Sequence, residues 1–257
     1  MEEKSRIIKK LNDDHTRPVL FNESFGGSEN QLRLLLKYLP DESFKNINLI
    51  LNNANHDLIE KDKINLIYHT TPWRGLVHLL KVFKNLNLKN VELNICSSTK
   101  IYGKKFDDNL GKTYENIFNE CKNTKNINYL GFVENEKIIE LLKKMHIYAF
   151  PSIWPETSCI SAIESMAAGC EVVSTNLGAI YETCAPFAKL ISFDRNFNAM
   201  QNKFKNALLS SINNFWSDEN QNKLKLQRET INLLYSWKTR SIEWKNFFDN
   251  ARDSKKG

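Results

Sequence analysis

The apolar residues of this chain fall into short runs, and the runs alternate in kind. Ile64–His69, Val91–Cys96, Ile127–Val133, Ile147–Pro151, Val172–Thr175 and Lys189–Phe193 are brief and mostly uninterrupted, as strands buried on both faces are. Between them the spacing turns helical. Gly75–Leu86 puts Leu76, Leu79, Leu80 and Phe83 on one face, and Thr113–Lys122, Glu136–Met145 and Ser161–Ala168 read as further helices. Ile101 to Gly111 reads as a polar loop. Such alternation predicts an α/β fold: a Rossmann-like, doubly wound parallel sheet with right-handed crossovers. Upstream, Val19–Asn22 is a short apolar piece. Gln31–Leu39 has helical leucine spacing ended by Pro40, Ile47–Leu51 reads as a strand, and Asn52–Asn55 as a loop. Beyond Asp194 the pattern is helical only, over Asn198–Phe215 and about Glu219–Asn250. Three parts follow: an N-terminal segment over 1–57, the α/β domain over 58–195, and a C-terminal helical tail over 196–257 expected to pack back on the core.

Composition narrows the class. A chain of 257 residues, 41% hydrophobic and 26% charged, is globular and large enough to need no disulfide or metal staple. Five cysteines without a CxxC pair argue against a disulfide framework or zinc ribbon, and His15, His56, His69, His78 and His146 show no metal-binding spacing. The N-terminus is charged, with no apolar core of a signal peptide, and no run approaches the ~20 residues of a membrane span, so a cytoplasmic location is expected. The formal charge of +6 lies wholly in residues 195–257, where twelve basic residues face six acidic ones. Interleaved Glu229 and Glu243 suit a solvated helix face as well as attraction to an anionic partner. No basic run with interleaved aromatics points to nucleic acid. GxxxxGK[ST], GxGxxG and GxSxG motifs are absent, which disfavours an NTPase, a dinucleotide enzyme and a hydrolase. Asp107-Asp108-Asn109 lies in the polar loop and has no metal-site spacing.

Ligands of such sheets sit at the carboxyl ends of the strands. Four loops there carry unusual chemistry: Thr70–Gly75, Ser97–Lys100, Pro151–Ser161 and Asn176–Glu182. Glu156 precedes a helix and Glu164 lies two turns into it. The amides of Thr157, Ser158 and Cys159 at the helix start suit a phosphate or pyrophosphate. On spacing alone Glu156 is equally a helix-start acid and Glu164 a surface residue.

The flanking residues add context. Strand-Pro-Ser, then Glu156-x7-Glu164, Met166-Ala167-Ala168-Gly169, the strand of Val172 and Val173, and Gly178 to Glu182 resemble the retaining glycosyltransferases of the GT-B fold, family 4. The resemblance covers roughly residues 60–195 and, weakly, the Gly26–Gly27 loop. It implies that Glu164 binds ribose hydroxyls of the donor nucleotide and that Glu156 sits beside the donor sugar. It implies that Arg74, at a Lys-Gly position, neutralises the donor diphosphate, for which its two-pronged guanidinium is suited. Gly131-Phe132-Val133 matches a segment whose backbone meets the base, Gly178 and Glu182 a second donor loop, and Tyr235-Ser236-Trp237 an aromatic near the last helix. Three positions depart from the pattern. His69 stands where the family has an Arg, Cys159 replaces a Gly, and Ala179 replaces the second Gly of the later loop.

What the resemblance implies is an enzyme moving a sugar from a nucleotide-diphosphate sugar to a hydroxyl acceptor with retention. It needs no metal or cofactor, because Arg74 and the helix start carry the phosphate charge. Size sets the alternative. A GT-B enzyme has two Rossmann-like domains, and only about 55–60 residues precede the matched part. The N-terminal segment then reads as an abbreviated remnant, with Gly26 and Gly27 approaching the donor or forming an ordinary turn, and His56 structural. The competing expectation is a non-catalytic nucleotide-sugar-binding remnant, or one half of an assembly completed by a partner chain or homo-oligomer.

Overall fold

A computed structural model describes residues 63–86, 88–184 and 186–253. The segments expected over 19–22, 31–39 and 47–51, with Gly26, Gly27 and His56, lie outside the described residues. The chain divides into two compact units, Leu51–Ile231 and a second that includes Asn232–Gly257.

The larger unit is built on six parallel strands: β1 (Ile64–Tyr68), β2 (Val91–Ile95), β3 (Ile127–Tyr129), β4 (Ile147–Phe150), β5 (Glu171–Asn176) and β6 (Lys189–Ser192). Their order across the sheet is β3-β2-β1-β4-β5-β6. Ile64 pairs with Val91, Leu66 with Ile147, and Ile147 with Glu171. The central strands are apolar on both sides, and Leu66, Ile67, Leu93, Ile95, Phe150 and Val173 are fully enclosed. That is the burial pattern of a sheet covered by helices on both faces. β3 is an edge strand with one neighbour. It ends at Tyr129, earlier than its apolar run, because Gly131 turns the backbone into the left-handed region at φ 66°.

The helices are α1 (Leu76–Lys84), α2 (Lys104–Asn123), α3 (Asn135–Leu142), α4 (Ile160–Ala168), α5 (Ile180–Cys184), α6 (Phe197–Asn214) and α7 (Asp218–Leu234). α2 is a correction to the expected polar loop over 101–111. Phe106, Leu110, Tyr114 and Phe118 recur every four residues and turn one stripe inward, while Lys104, Lys105, Asp108 and Asn109 remain exposed. A helix lying on an edge needs only that narrow stripe. Asn196 caps α6, its side chain accepting from the amides of Asn198 and Ala199. α6 then returns to α1, where Gln201 bonds His78 Nδ1 at 2.8 Å. Gln227 of α7 donates to the carbonyls of Met166 in the last turn of α4 and Cys170 just past it, at 3.0 and 2.9 Å.

In the second unit α8 (Trp237–Asp253) follows a break at Tyr235 and Ser236, where a single helical stretch was expected. Ser236 starts the new helix by accepting from the Thr239 amide at 3.1 Å, a side-chain cap that competes with helix continuation. Among the described residues no helix is long and apolar enough to cross a membrane.

Candidate functional site

Strand order reverses between β1 and β4: the chain runs outward from β1 through β2 to β3, then comes back to lay β4 on the other side of β1. Loops leaving the carboxyl ends of two such strands diverge and leave a crevice. Arg74 belongs to the loop after β1 and Glu156 to the loop after β4, so the topology alone brings them to one place.

Local chemistry fixes each. Thr71 and Pro72 open a short 3-10 turn, Pro72–Arg74, with the Arg74 amide bonded to Thr71 O at 3.2 Å. Tyr68, buried at the end of β1, donates its hydroxyl to the same carbonyl at 2.7 Å. Gly75 follows at φ 133°, and any Cβ there would overlap the carbonyl of Pro151. The two loops can touch at that point only because it is glycine. The Ile153 amide then bonds Arg74 O at 3.2 Å.

The guanidinium of Arg74 donates to the carboxylate of Glu156 in a direct ion pair. The side chain of Glu156 is 3% exposed and that of Arg74 23%. Burial raises the pKa of Glu156, outweighing the pull of Arg74. For Arg74 burial works against the charge, but the carboxylate prevails and holds its pKa above the ordinary value. Each partner keeps an unused polar atom: Glu156 Oε1 and Arg74 Nε are buried without a hydrogen-bond partner among the described residues. Unsatisfied groups of this kind are rare inside proteins and call for a partner such as a water, an ion or a ligand.

The backbone of Glu156 is held from the far side. It forms a parallel bridge with Gly178, and its carbonyl accepts from the Ala179 amide at 2.6 Å. Gly178 has φ 68°, and a Cβ on it would overlap the Glu156 backbone. The loop after β4 is thus pinned on one flank by the β1 loop and on the other by the β5 loop.

Past Glu156, Thr157 and Ser158 are exposed, Cys159 is buried at the start of α4, and no side chain caps that helix. α4 begins at Ile160, so the expected donors Thr157 and Ser158 lie in the loop before the helix and Cys159 is its N-cap residue. Behind them lies a polar chain. Tyr148 OH and Cys159 Sγ reach Ser161 Oγ at 2.9 and 3.3 Å, and Ser165 Oγ donates to Ser161 O at 2.7 Å. His69 Nε2 meets Ser165 Oγ at 2.7 Å. With the hydroxyl proton committed to Ser161, His69 donates. Burial lowers its pKa to about 4, so the ring is neutral near pH 7. His69 thus ties the end of β1 to α4.

Glu164 is half-buried on α4, within reach of the Asn135 side chain at the start of α3. Burial pushes its pKa up to about 7. Val133 is half-buried two residues before Asn135, in the loop that Gly131 opens. Glu182 is exposed on the first turn of α5, and among the described residues no hydrogen bond or ion pair joins it to the others. Direct contact therefore unites Arg74, Glu156 and Gly178. Glu164 lies on α4, the helix whose Ser165 His69 meets. Sequence reasoning passed over Asn135, Ser165 and Gly75. Asn135 and Ser165 carry no local signal, while the Arg-Gly dipeptide before a helical run was the available cue for Gly75. No three His, Cys, Asp or Glu side chains gather as metal ligands among the described residues.

A parallel α/β sheet with a cation and a carboxylate at its switch point, beside a helix start, is the arrangement of a Rossmann-like domain of the GT-B kind. The chain belongs to the family of glycosyl transferases group 1, which matches residues 45–225. No curated protein matches it. Among solved structures it is similar to a glycosyltransferase from Rickettsia africae, at 17% identity and TM-score 0.56, covering 94% of this chain and 54% of that one. It is also similar to sucrose-phosphate synthase from Thermosynechococcus elongatus, at 16% identity and TM-score 0.56, covering 78% of this chain and 49% of that one. A third is Anabaena HepE in complex with UDP, at 13% identity and TM-score 0.58, covering 74% of this chain and 49% of that one. The chain spans about half the length of these structures.

Proposed function

We propose that this chain binds a nucleoside-diphosphate sugar at the β1/β4 crevice and takes part in transferring the sugar, with retention, to a hydroxyl acceptor. The observation that carries the reading is the Arg74–Glu156 pair, with an unused nitrogen on one partner and an unused oxygen on the other. In transfer, the bond between the sugar C1 and the diphosphate oxygen breaks, a bond from C1 to the acceptor oxygen forms, and the acceptor's proton leaves with the diphosphate. Negative charge grows on the diphosphate, and the reading assigns Arg74 and the amides of Thr157, Ser158 and Cys159 to meet it. Glu164, together with Asn135, suits a pair of ribose hydroxyls, Val133 the base, and Glu156 with the Gly178 loop the donor sugar. The charge stabilisation comes from the protein's own groups, and metal independence is part of the proposal. All five cysteines are free and buried, which supports residence in a reducing compartment, the cytoplasm.

The test is calorimetry with UDP, ADP and GDP and their glucose conjugates, read beside nucleotide release with and without EDTA. Binding of one nucleotide is expected. It should weaken roughly 10- to 150-fold in Arg74→Ala and in Glu164→Ala, the weight of one hydrogen bond to a charged group. No binding by any of the six, with the fold intact, rejects the reading. Binding without transfer to any acceptor, restored by mixing with a second chain, identifies half of an assembly.

A further inference from the structure

An aromatic cluster flanks Arg74 on the side away from Glu164. Trp73, in the same 3-10 turn as Arg74, stacks on Tyr102 at 5.8 Å between ring centres and 29° between planes. Phe106 and Tyr114 of α2 brace Trp73 at 5.6 and 5.8 Å, and Phe106 lies 5.1 Å from Tyr102. A purely structural cluster buries its rings, yet Tyr102 is 38% exposed and its neighbour Ile101 58%. Tyr102 is also within electrostatic reach of Arg74. The same two loops hold Thr71 Oγ1 and Ser97 Oγ, both buried and both without a hydrogen-bond partner among the described residues.

Position tells what such a surface takes. With crossovers of one hand, α1 and α2 lie on one face of the sheet and α3, α4 and α5 on the other. Glu164 and Asn135 mark the rim of the second face, and Trp73 and Tyr102 the rim of the first, over β1 and β2. The Glu156–Gly178 contact lies over β4 and β5. On the proposed function, on which this inference rests, nucleotide and donor sugar fill the second rim and the β4/β5 side. The aromatic pair is left for another ring. An exposed tyrosine backed by a stacked tryptophan is suited to a pyranose, whose axial C–H bonds lie flat on an aromatic ring.

We propose that Trp73 and Tyr102 form a stacking platform for a sugar ring of the acceptor, held beside Arg74 and Glu156 by this chain itself. The test is saturation-transfer NMR on the full chain with the methyl glycosides of glucose, galactose, mannose and N-acetylglucosamine, each with and without UDP. At least one glycoside is expected to bind, through its ring C–H protons, and to remain bound when UDP is present. Tyr102→Leu, which fills the space without an aromatic face, should weaken it roughly tenfold. Tyr102→Phe should not, and UDP affinity should stay within about twofold in both, with unchanged circular dichroism. No binding by any of the four glycosides overturns the platform. So does displacement of the glycoside by UDP, unchanged binding in Tyr102→Leu, or a loss in Tyr102→Phe as large as in Tyr102→Leu. A glycoside that binds, and is lost in Tyr102→Leu, on a chain that binds no UDP leaves the platform standing and removes the nucleotide reading instead.

Discussion

Arg74 and Glu156 hold each other, and on the proposed function a diphosphate competes with that carboxylate for the same guanidinium. Replacing the acid by an uncharged isostere removes the competitor. Glu156→Gln should therefore bind UDP roughly tenfold more tightly, a change of about 1.4 kcal/mol, while nucleotide release from the sugar donor falls. Calorimetry that finds UDP affinity lowered or unchanged would show that Glu156 does not set the charge at the crevice. Two other titrating residues act against one another in stability. The His69 pKa is lowered from 6.5 to about 4, so its contribution is present above 6.5 and is lost as pH falls through 4. The Glu164 pKa is raised from 4.5 to about 7, so its contribution is full below 4.5 and declines as pH rises through 7. Between about 4.5 and 6.5 the slopes oppose, because the native state takes up one proton at Glu164 and withholds one at His69. Urea unfolding should show a shallow pH dependence in the wild type across that window. In Glu164→Gln stability should rise clearly with pH. Parallel curves for the two proteins would mean that Glu164 is not desolvated.

Elements were legible where their apolar pattern was complete. All six strands were, since each is a short run built around apolar residues with few polar positions inside it, and the order of elements followed. The second half of α2 was legible over Thr113–Lys122; its first half was not, because its inward stripe is one residue in four and its first turns are charged. The break before α8 was hidden because Ser236 looks like any helix residue until its hydroxyl caps Thr239. Within the site, Arg74, Glu156 and Gly178 carried recognisable spacing, but that Gly178 seats the Glu156 backbone was not in the pattern, since only the fold brings the two loops into register. That contact makes a sharp prediction. Gly178→Ala forces a side chain into left-handed backbone and into the Glu156 main chain. It should cost about 1–3 kcal/mol of stability and weaken UDP binding along with it. Unchanged melting and unchanged affinity would show that the loop after β4 is held by Arg74 alone.

At the scale of the whole chain, the thiols report how tightly the sheet domain closes. Cys96, Cys121, Cys159 and Cys170 have pKa values pushed up to about 12 by burial, and burial raises Cys184 as well. A buried thiol that resists ionisation is slow to react. At pH 8 Ellman's reagent should find essentially no reactive thiol in the native protein and all five after denaturation. Prompt labelling at Cys159, identified by mass spectrometry, would show the start of α4 opening more often than the packing around it allows.

The Arg74–Glu156 pair also bears on what the crevice ignores. A bare guanidinium at a helix start is a trap for any small anion, and a cell is full of inorganic phosphate, sulfate and carboxylates. Here the positive charge is already answered from within. A simple oxyanion would gain little by displacing the acid, having no second handhold to offset the exchange. Only a molecule long enough to reach Glu164 and Asn135 at the same time gains from the exchange. On the proposed function the internal partner thus acts as a filter for length, and it leaves the crevice open to a nucleotide conjugate in a solution where far more abundant anions share the same charged group.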